Sequence, residues 1–181
     1  APGRSIDWTS DADGVTLRLG ELPVDPHASV IEITLAGAPV VVDAGIRPDA
    51  AGNFDLDAQD AETTGSARYE AEHDKRAIGF WTNAKDRVRW SVKTPDAGTY
   101  EVFITYASDP KIGGGTFRIS TSDAAIEGRA TPTGSWTDFR RELVGSIRLP
   151  AGASVPLDIT PIAIPNGALM NLRRVELVRQ K

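Results

Sequence analysis

Strict alternation of apolar and polar residues is the feature that most constrains how this chain can fold. In DRVRWSV, single polar residues separate Val88, Trp90 and Val92, and TYEVFITYA repeats the pattern from Tyr100 to Tyr106. Because successive side chains of a strand point to opposite faces, a period of two predicts strands with one buried and one solvated face. Trp90 is therefore expected in the core.

Turn signals separate these runs along the rest of the chain. PDAG, KIGGG and PAGA stand between stretches such as GTFRISTS, VPLDITPI and NLRRVELV. Short alternating strands joined by turns that contain Gly and Pro are typical of antiparallel sandwiches. The sequence thus predicts an all-β protein, an antiparallel β-sandwich with at least nine strands and no helix longer than two turns.

A stretch rich in Gly, Pro and Asp, DAGIRPDAAGN, divides the chain. We expect residues 1–43 to form a small β segment, residues 44–53 a linker, and residues 54–181 the sandwich itself. About four strands are too few for an independent core, so the first segment either docks on the later domain or belongs to a sheet completed elsewhere. The start APGRS, without an initiator Met or a signal peptide, suggests a piece of a longer protein.

Composition and charge exclude several classes of function. The net charge of −5 argues against a nucleic-acid partner, and no apolar run approaches the roughly 20 residues of a membrane span. The absence of Cys removes disulfides and thiol catalysis without fixing the compartment. His27 and His73 have neither metal-binding spacing nor a neighbouring nucleophile, so no catalytic residue is predicted.

The stretch ELPVDPHASVIEITLAGAPVV, residues 21–41, resembles the closing strands of the β-sandwich that follows the catalytic barrel in family 29 α-L-fucosidases. The resemblance implies that residues 1–43 are trailing strands of a preceding sandwich. It also implies a glycoside hydrolase parent whose nucleophile and acid lie in the barrel, so that this chain itself is non-catalytic. The excess of Arg over Lys and the abundance of Ala favour a bacterial source.

Residues 54–181 resemble the galactose-binding-like jelly rolls of carbohydrate-binding modules, especially families 6 and 35. The similarity rests on the order and spacing of six short motifs: DAQDA, GFW, AGTYEVFITYA, TGSW, LPAG and NL. It implies a jelly-roll carbohydrate-binding domain that acts as an accessory module. Expected partners are a carbohydrate and either the parent's catalytic domain or another copy of the chain, without nucleic acid or membrane; a periplasmic or secreted location is favoured.

Members of these families hold a structural calcium between two acidic residues of the first strand and an Asp that follows NL. In these families the first acidic strand lies roughly twenty or more residues before the element that corresponds to GFW. Asp57 of DAQ precedes Gly79 by 22 residues, whereas Glu70 of EAE precedes it by only 9. The DAQ motif therefore takes the first position. Gln59 and Arg173 stand where two of the anionic ligands are expected, which leaves too little negative charge for calcium. We therefore expect no metal and no other cofactor, and an ion pair between Arg173 and Asp57 instead.

The resemblance also implies a sugar-binding cleft at a loop end of the sandwich. Trp81 and Trp136 would stack on a pyranose ring, Asn171 would hydrogen-bond the sugar from the cleft floor, and Glu70 would accept hydroxyls near Trp81. The alternatives are that the two tryptophans are ordinary core or rim aromatics, that Asn171 satisfies backbone groups, and that Glu70 lies on a solvated strand face. In that case the chain is a structural or oligomerisation module of the same enzyme. The exposure of the two tryptophans distinguishes a sugar-binding role from a structural one.

Overall fold

The computed structural model of the chain describes residues 5–10, 15–20, 30–34, 37, 45–72 and 74–180. The chain divides into two compact units, Ala1–Val41 and Val42–Lys181. The described part of the first unit contains an antiparallel hairpin of β1 (Asp7–Ser10) and β2 (Val15–Arg18). Most of the fucosidase-like stretch, including DPHAS, lies outside the described residues, as does His73.

The second unit is a sandwich of two antiparallel sheets. Its strands are β3 (Phe54–Asp57), β4 (Glu62–Thr64), β5 (Arg68–Glu70), β6 (Ala77–Gly79), β7 (Arg87–Thr94), β8 (Gly98–Ala107), β9 (Gly115–Ser120), β10 (Ala125–Ala130), β11 (Arg140–Leu149), β12 (Gly152–Ala163) and β13 (Asn171–Arg179). One sheet has the order β10-β9-β12-β7-β4; the other has the order β11-β8-β13-β6-β5, with β3 also paired to β13. The predicted all-β antiparallel sandwich is confirmed.

Helical structure is confined to one short turn in the part of the chain that the structure describes. This 3₁₀ turn, Ala58–Asp60, follows β3, and the Asp57 side chain caps it by accepting a hydrogen bond from the Gln59 N–H. None of the described segments forms a helix with the length and apolar character needed to cross a membrane.

The core lies between the two sheets and follows the alternation of the sequence. Val88, Trp90 and Val92 of β7 are buried, and Trp90 is only 1% exposed, as predicted. The indole N–H of Trp90 donates to the carbonyl of Asp57 at 2.8 Å, which gives its one polar atom a partner inside the sandwich. The ring of Phe54 meets that of Tyr100 edge-on, with centroids 5.7 Å apart.

Residues 45–53, which we expected to be a linker, are hydrogen-bonded to the sandwich. Ile46 forms a parallel bridge with Val92, donating from its N–H to the Ser91 carbonyl and accepting from the Lys93 N–H. The side chain of Asn53 accepts a hydrogen bond from the Arg179 N–H at 3.0 Å. These bonds join the segment to β7 and β13.

A β-bulge interrupts β13 close to its start. Leu172 pairs with Tyr106 and Arg174 with Thr105, so Arg173 is an extra residue without a partner in the β8 register. Leu172 and Val175 are both buried, with two residues between them instead of one. The bulge therefore places Arg173 and Arg174 together on the side away from the core.

Candidate functional site

The side chains of Glu70 and Asn171 converge on Gly79. These residues lie at the end of β5, the start of β13 and the end of β6, three neighbouring strands of one sheet. A Cβ added to Gly79 would overlap Oε2 of Glu70 and lie 2.8 Å from Oδ1 of Asn171. Because glycine has no Cβ, two acceptor oxygens can approach this backbone closely, one of them a carboxylate oxygen.

The other polar atoms of these two side chains are held by the protein. Asn171 donates from Nδ2 to the carbonyl of Trp136 at 2.8 Å, which fixes the amide so that Oδ1 faces Gly79. Lys75 donates from Nζ to Oε1 of Glu70 at 2.5 Å. This hydrogen bond raises the pKa of the Lys75 ammonium. The site therefore combines a fixed acceptor pair with a fixed cation, and the Glu70 side chain is only 10% exposed.

Trp81 does not have the role expected of it. Its side chain is fully buried within the core cluster, and its indole N–H donates to the carbonyl of Ile78 at 2.8 Å. A ring without exposed surface cannot stack on a sugar, so the assignment of Trp81 to sugar contact is wrong. The physical reason is the backbone of Phe80, whose φ of +59° ends the extended conformation and turns the next residue into the core.

Phe80, and not Trp81, is the exposed aromatic residue of the GFW motif. Phe80 follows Gly79 directly and is 42% exposed. The guanidinium of Arg68 lies over its ring, 3.4 Å from the ring centroid. A positive φ is an outlier for a bulky residue and is typical of functional sites. The available signal was the GFW motif itself, in which the first aromatic, not the second, adjoins the glycine.

Trp136 is partly exposed, so its side chain keeps surface that a ligand could contact. Its carbonyl accepts the hydrogen bond from Asn171. Hydrogen bonds hold the loop that carries Trp136 to Ser108, the residue after β8. The Thr133 N–H donates to the Ser108 carbonyl, and the Thr133 hydroxyl accepts from the Ser108 N–H. The structure thus brings Trp136 and Asn171 together, and stacking of a sugar on Trp136 remains a prediction.

The expected ion pair between Arg173 and Asp57 is also wrong. Arg174 takes that place, with Nη2 at 3.7 Å from Oδ2 of Asp57 and Nε at 3.1 Å from Oδ1 of Asp55. The bulge shifts the register by one residue, so that Arg174 pairs with Asp57 across the β13–β3 ladder. No cluster of three or more His, Asp or Glu side chains suited to a metal occurs among the described residues.

The loop that carries Phe80 is fixed by a buried carboxylate. Asp86 is fully buried and accepts hydrogen bonds from the N–H and hydroxyl of Ser66 and from the N–H groups of Thr82 and Asn83. Burial alone would raise the pKa of Asp86, but the hydrogen bonds from Ser66, Asn83 and Thr82 outweigh it and lower the pKa. The carboxylate thus ties the β4–β5 loop to the residues that follow Phe80.

Comparison with known proteins identifies the fold. The sequence matches no protein-family model and no curated protein. The structure is similar to the Podospora anserina GH26-CBM35 β-(1,4)-mannanase, with a TM-score of 0.58 and 18% identity over 72% of this chain and 28% of that one. It is also similar to a β-1,3-glucan-binding family 6 carbohydrate-binding module from Bacillus halodurans, with a TM-score of 0.53 and 18% identity over 76% of this chain and 99% of that module.

A protein of another kind has the same architecture. The mosquito-larvicidal Cry4Aa toxin from Bacillus thuringiensis matches with a TM-score of 0.61 and 13% identity over 77% of this chain and 25% of the toxin. Identities this low establish the fold without establishing a ligand. The second unit of the chain is therefore a jelly-roll β-sandwich of the kind found in family 6 and family 35 carbohydrate-binding modules.

Proposed function

We propose that the chain is a non-catalytic carbohydrate-binding accessory module. The observation that carries the proposal is the convergence of Glu70 Oε2 and Asn171 Oδ1 on Gly79, the residue that directly precedes the exposed Phe80. Acceptors fixed in this way match ligands that are rich in O–H donors. Among the site residues expected from the sequence, Glu70, Asn171 and Trp136 stay in the proposed site, and Phe80 replaces Trp81.

The proposed chemistry uses both polar and apolar contacts. Two hydroxyls of one sugar ring donate to Glu70 and Asn171, while the ammonium of Lys75 can donate to a ring or hydroxyl oxygen. The C–H groups of the sugar lie against the exposed part of Phe80 and against Trp136. A single ring held by such contacts should bind with a dissociation constant between about 10 μM and several mM, or about −4 to −7 kcal/mol.

We further propose that the module serves a glycoside hydrolase, most simply an α-L-fucosidase. The support for this parent is the fucosidase-like stretch at residues 21–41 and the fold that the chain shares with a multidomain mannanase. Weak binding is useful in that context, because tethering raises the local concentration of a linked catalytic domain at its substrate. We propose a periplasmic or secreted location for such an enzyme.

A structural or oligomerisation module is the second candidate. It is favoured by the exposed apolar side chains of the first unit, among which Trp8 is 64%, Val30 89% and Ile33 62% exposed. Apolar residues at this exposure are typical of surfaces that pack on another domain or another chain. The burial of Trp81 also removes one of the two tryptophans on which sugar binding was first argued.

A glycan-array screen with a matched pair of variants tests the proposal. Glu70→Gln keeps the size of the side chain but removes the charge and the ion pair with Lys75, so binding should fall strongly. Glu72→Gln makes the same chemical change at an exposed position of the same segment and should bind like the wild type. If the wild type binds no glycan, or if both variants bind equally, the proposed site is wrong.

A further inference from the structure

The side chain of Arg173 contacts two segments that lie far from it in the sequence. Its Nε donates to the Lys75 carbonyl at 3.0 Å, and its Nη2 donates to the carbonyls of Asp74 at 2.7 Å and Lys75 at 2.8 Å. The guanidinium also lies over the ring of Phe139, 3.5 Å from its centroid. Burial is the main cause that lowers the pKa of Arg173, in keeping with a cation withdrawn from solvent.

These contacts join the three segments that carry the proposed sugar site. Arg173 lies two residues after Asn171 on β13. The carbonyls that it binds belong to the segment that presents Lys75 to Glu70. Phe139 belongs to the same loop as Trp136, whose carbonyl holds the amide of Asn171.

The bulge in β13 explains how one side chain reaches both loops. Arg173 is the extra residue of the bulge, so it has no cross-strand neighbour on β8 to cover. Its neighbour Arg174 occupies the regular position and pairs with Asp55 and Asp57 on β3. A planar guanidinium can donate to two carbonyls and stack on a ring at once, which an ammonium cannot do.

We propose that Arg173 is a positioning residue of the carbohydrate site, which sets Lys75 and the Trp136 loop in place without touching the ligand. This inference rests on the proposed function. It predicts that losing the guanidinium disorders the segment after Glu70 and weakens sugar binding, although every side chain of the site is still present.

The experiment combines hydrogen exchange of the free protein with titration of the glycan that the wild type binds on the array. The amides of Lys75 and Arg76 both donate to the Glu72 carbonyl at 3.0 Å, so their exchange reports the order of this segment without a ligand. Arg173→Ala should speed their exchange and weaken binding about tenfold or more, the equivalent of one well-made hydrogen bond.

Two further variants supply the controls. Arg174→Ala removes the same charge from the adjacent residue and should leave both the exchange of these amides and the affinity unchanged. Arg173→Lys keeps the positive charge but loses the planar guanidinium that donates to the two carbonyls and stacks on Phe139. It should therefore behave like Arg173→Ala. Full recovery by lysine would overturn the proposed geometry, because charge alone would then be sufficient.

The readouts separate failure of this inference from failure of the proposed function. Unchanged exchange of the Lys75 and Arg76 amides in Arg173→Ala would overturn the positioning role, whatever the affinity. Faster exchange with unchanged affinity would also overturn it, because the segment would then be irrelevant to binding. A wild-type chain that binds no glycan at all overturns the proposed function itself, and the role in sugar binding with it.

Discussion

Phe80 and Trp81 are neighbours in the chain but lie in opposite environments. The first is 42% exposed and the second is fully buried, with its only polar atom bonded to Ile78. The left-handed backbone conformation of Phe80 produces this difference. The hydrogen bonds that Asp86 accepts from Thr82 and Asn83 hold the residues that follow Phe80 in place. The exposed ring of the pair is therefore the phenyl ring and not the indole.

Truncation of the two aromatic side chains should give opposite results. Trp81→Ala should lower the free energy of unfolding by about 3–5 kcal/mol, because it leaves a cavity in the core. Phe80→Ala should lower it by less than about 1 kcal/mol, since an exposed ring contributes little to folding, but should abolish sugar binding. Urea unfolding of both variants measures the first effect; a Phe80→Ala variant as unstable as Trp81→Ala would show that Phe80 is a core residue.

At this scale, the pattern of the sequence predicted buried positions better than it predicted the site. Trp90 follows the period of two and was placed correctly. Phe80 and Trp81 lie where the strand ends, and no period predicts a positive φ in a residue other than glycine. The bulge at Arg173 did leave a signal, because in NLRRVELV two arginines separate Leu172 from Val175 where one polar residue is the rule. We overlooked it.

Among the elements, the β4–β5 loop and the residues that follow Phe80 are held together by one buried charge, the carboxylate of Asp86. The carboxylate accepts from both loops, and the conformation of Gly65, at φ +84°, allows the close approach: a Cβ there would overlap Oδ1 of Asp86. The loop that presents Phe80 is therefore held to the rest of the sandwich by polar contacts that depend on one ionised group.

Asp86→Asn should destabilise the protein by about 2–4 kcal/mol at neutral pH, because an amide NH₂ would then face N–H donors. The pKa of Asp86 is lowered by folding. The ionised Asp86 therefore makes its full contribution to the free energy of unfolding above its unfolded-state pKa of about 3.9. This contribution is lost as the pH falls through the lower pKa of the folded state. Chemical unfolding at several pH values should show the difference between wild type and variant shrinking below about pH 4; a difference that is constant from pH 7 to 3 would contradict this account.

The turn after β3 gives a prediction about metals. The Asp57 carboxylate already caps the Ala58–Asp60 turn through the Gln59 N–H at 3.1 Å and faces Arg174. With these partners and only an amide at Gln59, we expect no calcium to be needed for folding. Thermal melts with and without EDTA should coincide. A lower melting temperature in EDTA that calcium restores would show that the site binds the ion after all.

At the scale of the whole molecule, the chain consists of a sandwich and a smaller first unit with exposed apolar side chains. The jelly roll was predictable because alternation, turn chemistry and strand number agree along residues 54–181, and the longer strands, such as β7 and β8, show their period clearly. The first unit was harder to interpret, since a few strands without a core depend on contacts that lie outside them.

We expect the first unit to promote association. A chain truncated to residues 45–181 keeps the bonds of Ile46 and Asn53 to the sandwich, so it should fold and stay monomeric. The full chain exposes Trp8, Val30 and Ile33 and should form dimers or larger species at the same concentration. Analytical ultracentrifugation and thermal melts compare the two; if both are monomeric with equal melting temperatures, the first unit contributes neither stability nor association.

The most direct test of carbohydrate binding by the sandwich is a calorimetric titration of Trp136→Ala beside the wild type, with thermal melts of both. The ligand is the glycan that the wild type selects on the array. We expect the heat of binding to disappear while the melting temperature stays within the range of a surface substitution, because Trp136 is partly exposed and is proposed to contact the ligand. Wild-type affinity in Trp136→Ala, or a collapsed melting temperature that marks the tryptophan as a core residue, would contradict it.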